Sequence, residues 1–213
     1  MKFKIAPSIL SADRSNLQEE VNQIEPYSDL IHIDIMDGKF VPPITFQAEE
    51  IKKLKTKLEK DVHLMVIDPE KSFIPNFIDA GADIITIHSE ACKDIPKTIA
   101  LIRSKGVKVG LSINPPTPLS MIKPYLNDID MVLIMSVNPG YAGQKFIPEV
   151  LTKIRELRKL KPNLDIEIDG GINKGTITEA VKAGANIIVA GSSIFNNPDR
   201  KQAIEDLKKA IKK

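Results

Sequence analysis

Cysteine occurs once, tryptophan never and histidine three times in these 213 residues. A single thiol, Cys92, excludes an internal disulfide framework. Long hydrophobic runs are missing as well: residues 131–135, among the longest, fall far short of the roughly 20 needed to cross a bilayer. The opening Met1-Lys2-Phe3-Lys4-Ile5 passes straight into a strand-like segment without signal-peptide character, so a cytoplasmic protein with no membrane partner is expected. Excess charge of one sign is also absent, with 30 Lys and Arg against 28 Asp and Glu. The two signs are interleaved, as in Glu49-Glu50-Ile51-Lys52-Lys53, which makes solvated helix faces and leaves no basic stripe for a nucleic acid.

What is present has the composition of a folded globular chain, 42% hydrophobic and 27% charged. Eight β-rich segments recur, at 4–10, 30–35, 62–66, 84–88, 107–113, 131–137, 165–169 and 186–190. Their apolar runs suit parallel strands covered on both faces. Amphipathic stretches at 13–24, 48–58, 71–80, 95–105, 148–160, 174–183 and 199–212 alternate with them, and a shorter one lies at 118–126. Ser11 or Asp13 reads as the cap of the first helix. Gly81, Gly106 and Gly184 each stand just before a strand, where a helix needs a left-handed stop. Such alternation without a linker allows a doubly wound sheet or a closed barrel. Eight units, and no glycine-rich dinucleotide fingerprint after the first strand (Ala6-Pro7-Ser8-Ile9-Leu10), select an α/β single-domain (β/α)8 TIM barrel spanning residues 1–213.

In that fold, chemistry belongs to the carboxyl ends of the strands. The second strand ends in His32-Ile33-Asp34-Ile35-Met36-Asp37-Gly38, where His32, Asp34 and Met36 share a face. The third carries His63 and Met65 at the same spacing, and the seventh ends in Asp169-Gly170-Gly171. Two imidazoles and two carboxylates, His32, Asp34, His63 and Asp169, match the ligand set of one divalent metal ion. Zinc is the default, with Fe(II), Mn(II) or Co(II) as alternatives. Taken singly, a histidine is more often a hydrogen-bonded core residue, and an aspartate at a strand end is often a helix cap. Together, the four would leave carboxylates unpaired inside a barrel, a cost that a cation removes. His88, beside Ser89-Glu90, reads as a locally hydrogen-bonded residue, and Cys92 needs no role.

A second constellation points to phosphate. Asn138-Pro139-Gly140-Tyr141-Ala142-Gly143-Gln144-Lys145 follows the sixth strand, and its glycines let backbone N–H groups approach an anion in a loop able to close. Ala190-Gly191-Ser192-Ser193-Ile194-Phe195 reads as a short helix start where this barrel often binds phosphate. Gly170-Gly171 adds to both, although any one of these glycines alone reads equally as a tight turn.

Ala6-Pro7-Ser8-Ile9-Leu10-Ser11-Ala12-Asp13, residues 32–38, Phe40-Val41-Pro42, Val62-His63-Leu64-Met65, Asn114-Pro115 with Thr117-Pro118, Met135-Ser136-Val137-Asn138-Pro139-Gly140, Asp169-Gly170-Gly171-Ile172-Asn173 and Ala190-Gly191-Ser192 cover almost the whole chain. In content and order they resemble the ribulose-phosphate 3-epimerase family. The resemblance implies an isomerase of the pentose phosphate pathway that interconverts D-ribulose 5-phosphate and D-xylulose 5-phosphate. It implies one divalent metal ion per subunit, a small sugar phosphate as substrate, and a homo-oligomer. Carried over by position, it implies His32, Asp34, His63 and Asp169 as metal ligands, with Asp34 and Asp169 also the acid/base pair. Ser8 and His63 resemble substrate contacts. Gly140, Tyr141, Ala142, Gly143, Asp169, Gly170, Gly171, Gly191 and Ser192 resemble the contacts to the sugar phosphate. Met36, Met65 and Met135 resemble the sulfurs beside the reacting carbons, and read equally as barrel core. The family usually has Asn where Pro43 stands and Gly where Gln47 stands. Its loop commonly reads Gly-Phe-Gly-Gly where this chain has Gly140-Tyr141-Ala142-Gly143, and these departures bear on lid motion and affinity.

Epimerisation beside a ketone needs two groups flanking a planar enediolate, one as base and one as acid. A 3-epimerase acting on allulose 6-phosphate is the nearest alternative. Barrel decarboxylases and aldol-type synthases would require Asp-x-Lys-x-x-Asp on the third strand, where Asp61-Val62-His63-Leu64-Met65-Val66 has no lysine. A plain phosphate-binding module would need neither opposed carboxylates nor a metal.

Overall fold

A computed structural model describes residues 3–211; the outermost positions of the expected domain, including residue 212 of the expected last helix, lie outside the described residues. Eight strands, β1 (Lys4–Pro7), β2 (Leu30–Met36), β3 (Glu59–Met65), β4 (Ile84–His88), β5 (Lys108–Ile113), β6 (Met131–Met135), β7 (Asp165–Asp169) and β8 (Ile187–Ala190), run parallel in the order β1-β8-β7-β6-β5-β4-β3-β2. A parallel bridge between Ser8 and His32 brings the two edge strands together, so the sheet curls into a nearly closed barrel. Around it lie α1 (Leu17–Ile24), α2 (Ala48–Lys53), α3 (Phe73–Asp79), α4 (Ile95–Arg103), α5 (Leu151–Leu160), α6 (Ile177–Ala183), α7 (Ser192–Phe195) and α8 (Arg200–Ile211). This is the expected single-domain (β/α)8 TIM barrel. Among the described residues, no helix is long and apolar enough to cross a membrane.

Where element ends differ from expectation, local chemistry explains the difference. β1 stops at Pro7 because the Ser8 hydroxyl accepts the Leu10 N–H and turns Ile9–Ser11 into a 3-10 turn. Of Ser11 and Asp13, it is Asp13 that caps, and it caps the 3-10 turn Arg14–Asn16 leading into α1: its carboxylate accepts the Ser15 N–H at 3.0 Å, whereas the N-cap of α1 itself, Asn16, makes no side-chain cap bond. α2 ends at Lys53, well short of residue 58, because β3 already begins at Glu59 and pairs Glu59, Lys60 and Asp61 with Leu30, Ile31 and His32. Segment 118–126 forms two 3-10 turns, Leu119–Met121 and Lys123–Tyr125, since Pro124 has no N–H to continue a helix. The three glycine stops are left-handed, with φ of +87°, +74° and +119° at Gly81, Gly106 and Gly184.

Two apolar regions hold the barrel. Outward-facing residues such as Ile31, Ile33 and Ile35 pack with Val21 and Ile24 of α1 in a continuous layer between strands and helices. Each such burial contributes about 1.5–3 kcal/mol. Inside, Ala6, Leu30, Ile84, Met131, Ile187 and Val189 form a plug toward the amino ends of the strands. Above that plug the interior turns polar, with His32, Asp61, Thr86 and Glu167 completely buried. Glu20 of α1 accepts two hydrogen bonds from Arg200 of α8, at 3.1 and 3.0 Å, which ties the first helix to the last.

Candidate active site

All four expected ligands meet at the carboxyl-end mouth: one nitrogen each of His32 and His63 and one oxygen each of Asp34 and Asp169 lie within 4.8 Å of one another. Strand pairing does this, because the β2–β3 register sets Asp34 beside His63 and the β6–β7 register sets Asp169 beside Met135. His32 Nδ1 lies 2.6 Å from Asp61 Oδ2, so that carboxylate accepts the ring N–H and turns Nε2 toward the site. There Nε2 is 3.5 Å from Asp34 Oδ1, buried and without a hydrogen-bond partner. His63 Nδ1 approaches the same Asp34 oxygen at 3.2 Å, and the Ser8 hydroxyl donates to the other at 2.6 Å. An orphaned imidazole nitrogen aimed at carboxylates, its partner nitrogen anchored on another carboxylate, is how metal-ligating histidines are held. The four residues fit a divalent ion.

The two carboxyl groups differ in proton affinity. Burial works to raise Asp34, but the adjacent imidazoles, His32 first and then His63, outweigh it and hold the group well below the usual carboxylate range. Asp169 moves the other way: burial, and then the negative charge of Asp34, push it up to about 7. Groups whose surroundings drive their proton affinities apart are the signature of an acid/base pair.

Two charged residues beneath the site were not singled out from sequence. Asp61 orients His32, and Glu167 Oε1 lies 3.5 Å from the same His32 nitrogen. Burial and the nearby charge of Asp61 raise Glu167 well above an ordinary glutamate. A usable signal existed: Glu167 alternates with Asp169, and Asp61 with His63, at the spacing that already picked out the ligands. His88 carries the local bond expected of it, Nδ1 to Glu90 Oε2 at 3.3 Å, and also a longer-range one, Nε2 to His63 Nε2 at 2.8 Å. Burial pushes the Cys92 thiol up to about 12, which leaves it inert.

A cleft of about 540 Å³ opens above this cluster. Ser8, Gly140, Tyr141, Ala142, Gly143, Asp169, Gly170, Gly171, Gly191 and Ser192 all line it, together with Met36, Met65 and Met135. His63 does not line it; it is fully buried behind Asp34. A Cβ on Gly191 would lie 2.6 Å from Ser11 Oγ, a hydroxyl that rotation of the serine side chain moves aside. Nearby, Ser193 holds a buried hydroxyl with no partner among the described residues. The loop over the cleft is tied at its base by Gln144, whose side-chain amide donates to Asn138 O at 2.6 Å and Tyr141 O at 2.9 Å. Pro43 sits close under Gly140 at the edge of this loop, whereas Gln47 heads α2 outside the cleft lining.

A parallel barrel whose carboxyl-end mouth gathers two imidazoles and two carboxyl groups of opposed proton affinity has the arrangement of an enzyme active site. The sequence profile of the Ribulose-phosphate 3 epimerase family matches residues 4–195. The ribulose-phosphate 3-epimerase of Bacillus subtilis (strain 168) is 47% identical over 214 residues, covering 97% of this chain and 98% of that one. The ribulose-phosphate 3-epimerase of Synechocystis sp. is 48% identical over 209 residues, covering 94% and 90%. The chain belongs to the ribulose-phosphate 3-epimerase family, and is therefore an isomerase. Among solved structures, 3-keto-L-gulonate-6-phosphate decarboxylase from Vibrio cholerae superposes with a TM-score of 0.75 over 100% of this chain and 98% of that one, at 16% identity. At that identity the likeness is one of fold alone.

Proposed function

We propose that residues 1–213 form one ribulose-phosphate-binding barrel domain that interconverts D-ribulose 5-phosphate and D-xylulose 5-phosphate in the cytoplasm, as a homo-oligomer in keeping with the family resemblance. The observation that carries this reading is the meeting of Asp34, from β2, with Asp169, from β7, at one mouth and with opposed proton affinities.

With the ketose across the cleft, ionised Asp34 removes the C3 proton from one face. The electrons of the C3–H bond pass into a planar enediolate, and protonated Asp169 returns a proton to the opposite face of C3. The reverse reaction begins with the roles exchanged, and solvent resets both groups. The Ser8 hydroxyl, donating to Asp34 Oδ2 at 2.6 Å, fixes the orientation of the base at the cleft. Met36, Met65 and Met135 give the reacting carbons an apolar wall that keeps water from the enediolate. Gly140, Tyr141, Ala142, Gly143, Gly170, Gly171, Gly191 and Ser192 surround the phosphate, whose binding sets the register of C3 between the carboxyl groups. Closure of the Tyr141 loop then seals the cleft. His32 through Nε2, Asp34, His63 through Nδ1 and Asp169 would hold the divalent ion, zinc by default, which supplies positive charge beside the C2 oxygen when bound.

The test is ribulose 5-phosphate in D₂O with and without chelator. Deuterium at C3 of newly formed xylulose 5-phosphate, abolished by chelation, is expected. Asp34→Asn and Asp169→Asn should each lower kcat by about 10²-fold or more; near-wild-type kcat in either variant with zinc bound would remove that residue from the acid/base pair.

A further inference from the structure

A row of side chains leads away from the site, and its two outer members, buried His88 and part-buried Glu90, take no part in the chemistry above. It runs from Asp34 through His63 and His88 to Glu90, with contacts of 3.2, 2.8 and 3.3 Å. We propose that His88 and Glu90 are positioning residues that lock His63 in the tautomer protonated on Nε2, leaving its Nδ1 lone pair free for the metal ion. The inference rests on reading the four-residue cluster as a metal site.

Glu90 is fixed from the far side. Its Oε1 accepts the Asn114 N–H at 2.8 Å and the Thr117 hydroxyl. Lys153 holds that loop in place by donating to the carbonyl oxygens of Asn114, Pro115 and Thr117 at 3.1, 2.6 and 2.5 Å. A carboxylate so placed can only accept, so His88 must carry its proton on Nδ1. The Nε2 of a neutral His88 is then a bare acceptor. Two ring nitrogens 2.8 Å apart need one proton between them, and His63 supplies it from Nε2. Its Nδ1 is left bare, 3.2 Å from an oxygen of Asp34. A lone pair facing a carboxylate oxygen is repulsive unless a cation stands between them.

The opposite arrangement puts the His63 proton on Nδ1 toward Asp34. It requires His88 to donate from Nε2 and to face Glu90 with a bare Nδ1, where the one nearby ammonium, Lys153, is already spent on three carbonyls. The row has three junctions, and two neutral rings carry only two protons. One junction must be filled by something else, and the ligand cluster puts it between Asp34 and His63. His32 obtains its tautomer directly from Asp61. Each ligand imidazole is thus aimed by a carboxylate of its own, one in contact and one through an intervening ring.

Zinc(II) affinity of the full chain, measured by chelator competition, tests this for the wild type, His88→Phe and His88→Gln. Two-bond ¹H–¹⁵N correlation on the zinc-loaded wild type reads the tautomer. The wild type should bind one zinc with the His63 proton on Nε2. His88→Phe should bind zinc about 10–100-fold more weakly, and His88→Gln, whose amide oxygen can still accept from His63, should recover most of that loss. A proton on His63 Nδ1 in the zinc-loaded wild type would overturn the inference, and so would a folded His88→Phe with wild-type affinity. Should His88→Phe fail to fold, the tautomer spectrum decides alone. A wild type that binds no zinc overturns the metal reading and this inference with it, whereas the other contrary results leave the metal reading standing.

Discussion

Replacing Gly171 with alanine should weaken the fold and the lid together. Gly171 has φ of +65°, and a methyl built on it would lie 2.6 Å from Phe146 N and 2.9 Å from Gln144 O. Both are backbone atoms of the segment returning from the Tyr141 loop, so no side-chain rotation relieves the contact and the segment itself must retreat. The left-handed conformation costs an L-residue about 1–2 kcal/mol, and forcing a methyl into packed backbone adds about 1–3 kcal/mol. Gly143 isolates the first contribution, since its φ is +76° and nothing lies within 4 Å of a methyl built there. Gly143→Ala should therefore cost about 1–2 kcal/mol and Gly171→Ala about 2–5 kcal/mol. In a chain of this length each kcal/mol moves Tm by about 2–4 °C, so thermal and urea unfolding of the two variants separates them. The displaced segment continues to Ile147, whose N–H donates to Ser136 O at 2.8 Å and anchors the loop base, so KM for ribulose 5-phosphate should rise in Gly171→Ala with kcat less affected. Equal stability of the two variants would refute the steric reasoning. A large loss of stability at wild-type KM would refute the link between Gly171 and the lid.

Zinc at 100 times its Kd should stabilise the chain by about 2.7 kcal/mol, a rise of about 5–10 °C in Tm that chelation reverses; no shift would argue against a metal site. Glu90 carries a pH prediction: burial works to raise it, but His88, the Asn114 N–H and the Thr117 hydroxyl outweigh burial and bring it from 4.5 down to about 2. A folded-state value below the unfolded one contributes stability that is complete above about pH 4.5 and is lost as the pH falls toward 2. Glu90→Gln should therefore flatten the fall of the urea midpoint across that window, and an unchanged acid limb would show that Glu90 is not held as described.

The four-residue cluster could be read from the chain because a polar residue at period two inside an apolar strand is visible wherever the strand itself is visible. His32 and Asp34 break an isoleucine run, and Asp169 ends one. Asp61 is harder to see because it follows the charged pair Glu59-Lys60 ahead of the apolar stretch 62–66; its spacing to His63 hints at the interior, and the register with β2, which sets it opposite His32, places it there. Glu167 was overlooked between Ile166 and Ile168, whose apolar side chains dominate the local pattern. His88 meets His63 across 25 positions, a contact that no short-range periodicity encodes. The early end of β1 and the 3-10 turns near Pro124 are local competitions, a hydroxyl cap in one case and a missing N–H in the other, that override apolar spacing.

Fold alone does not choose the chemistry, since a decarboxylase of 16% identity shares this barrel. The choice lies in how the buried acids are compensated. Asp34, Asp61 and Glu167 are buried in the barrel beside His32, Asp169 stands at its mouth, and no buried charged residue among those described is a lysine or arginine. A lysine in place of His63 would put a permanent cation among these carboxyl groups; β3 does carry Lys60, but its ammonium is turned away to the carbonyl oxygens of Ile51 and Ala80. Compensation then comes from imidazoles and from the raised proton affinities of Glu167 and Asp169, to which the proposed ion would add. Well-packed apolar residues in the same positions would often hold a barrel together at least as well. The acidic interior is therefore a stability cost accepted for the site, and the proposed ion, once bound, would offset part of it.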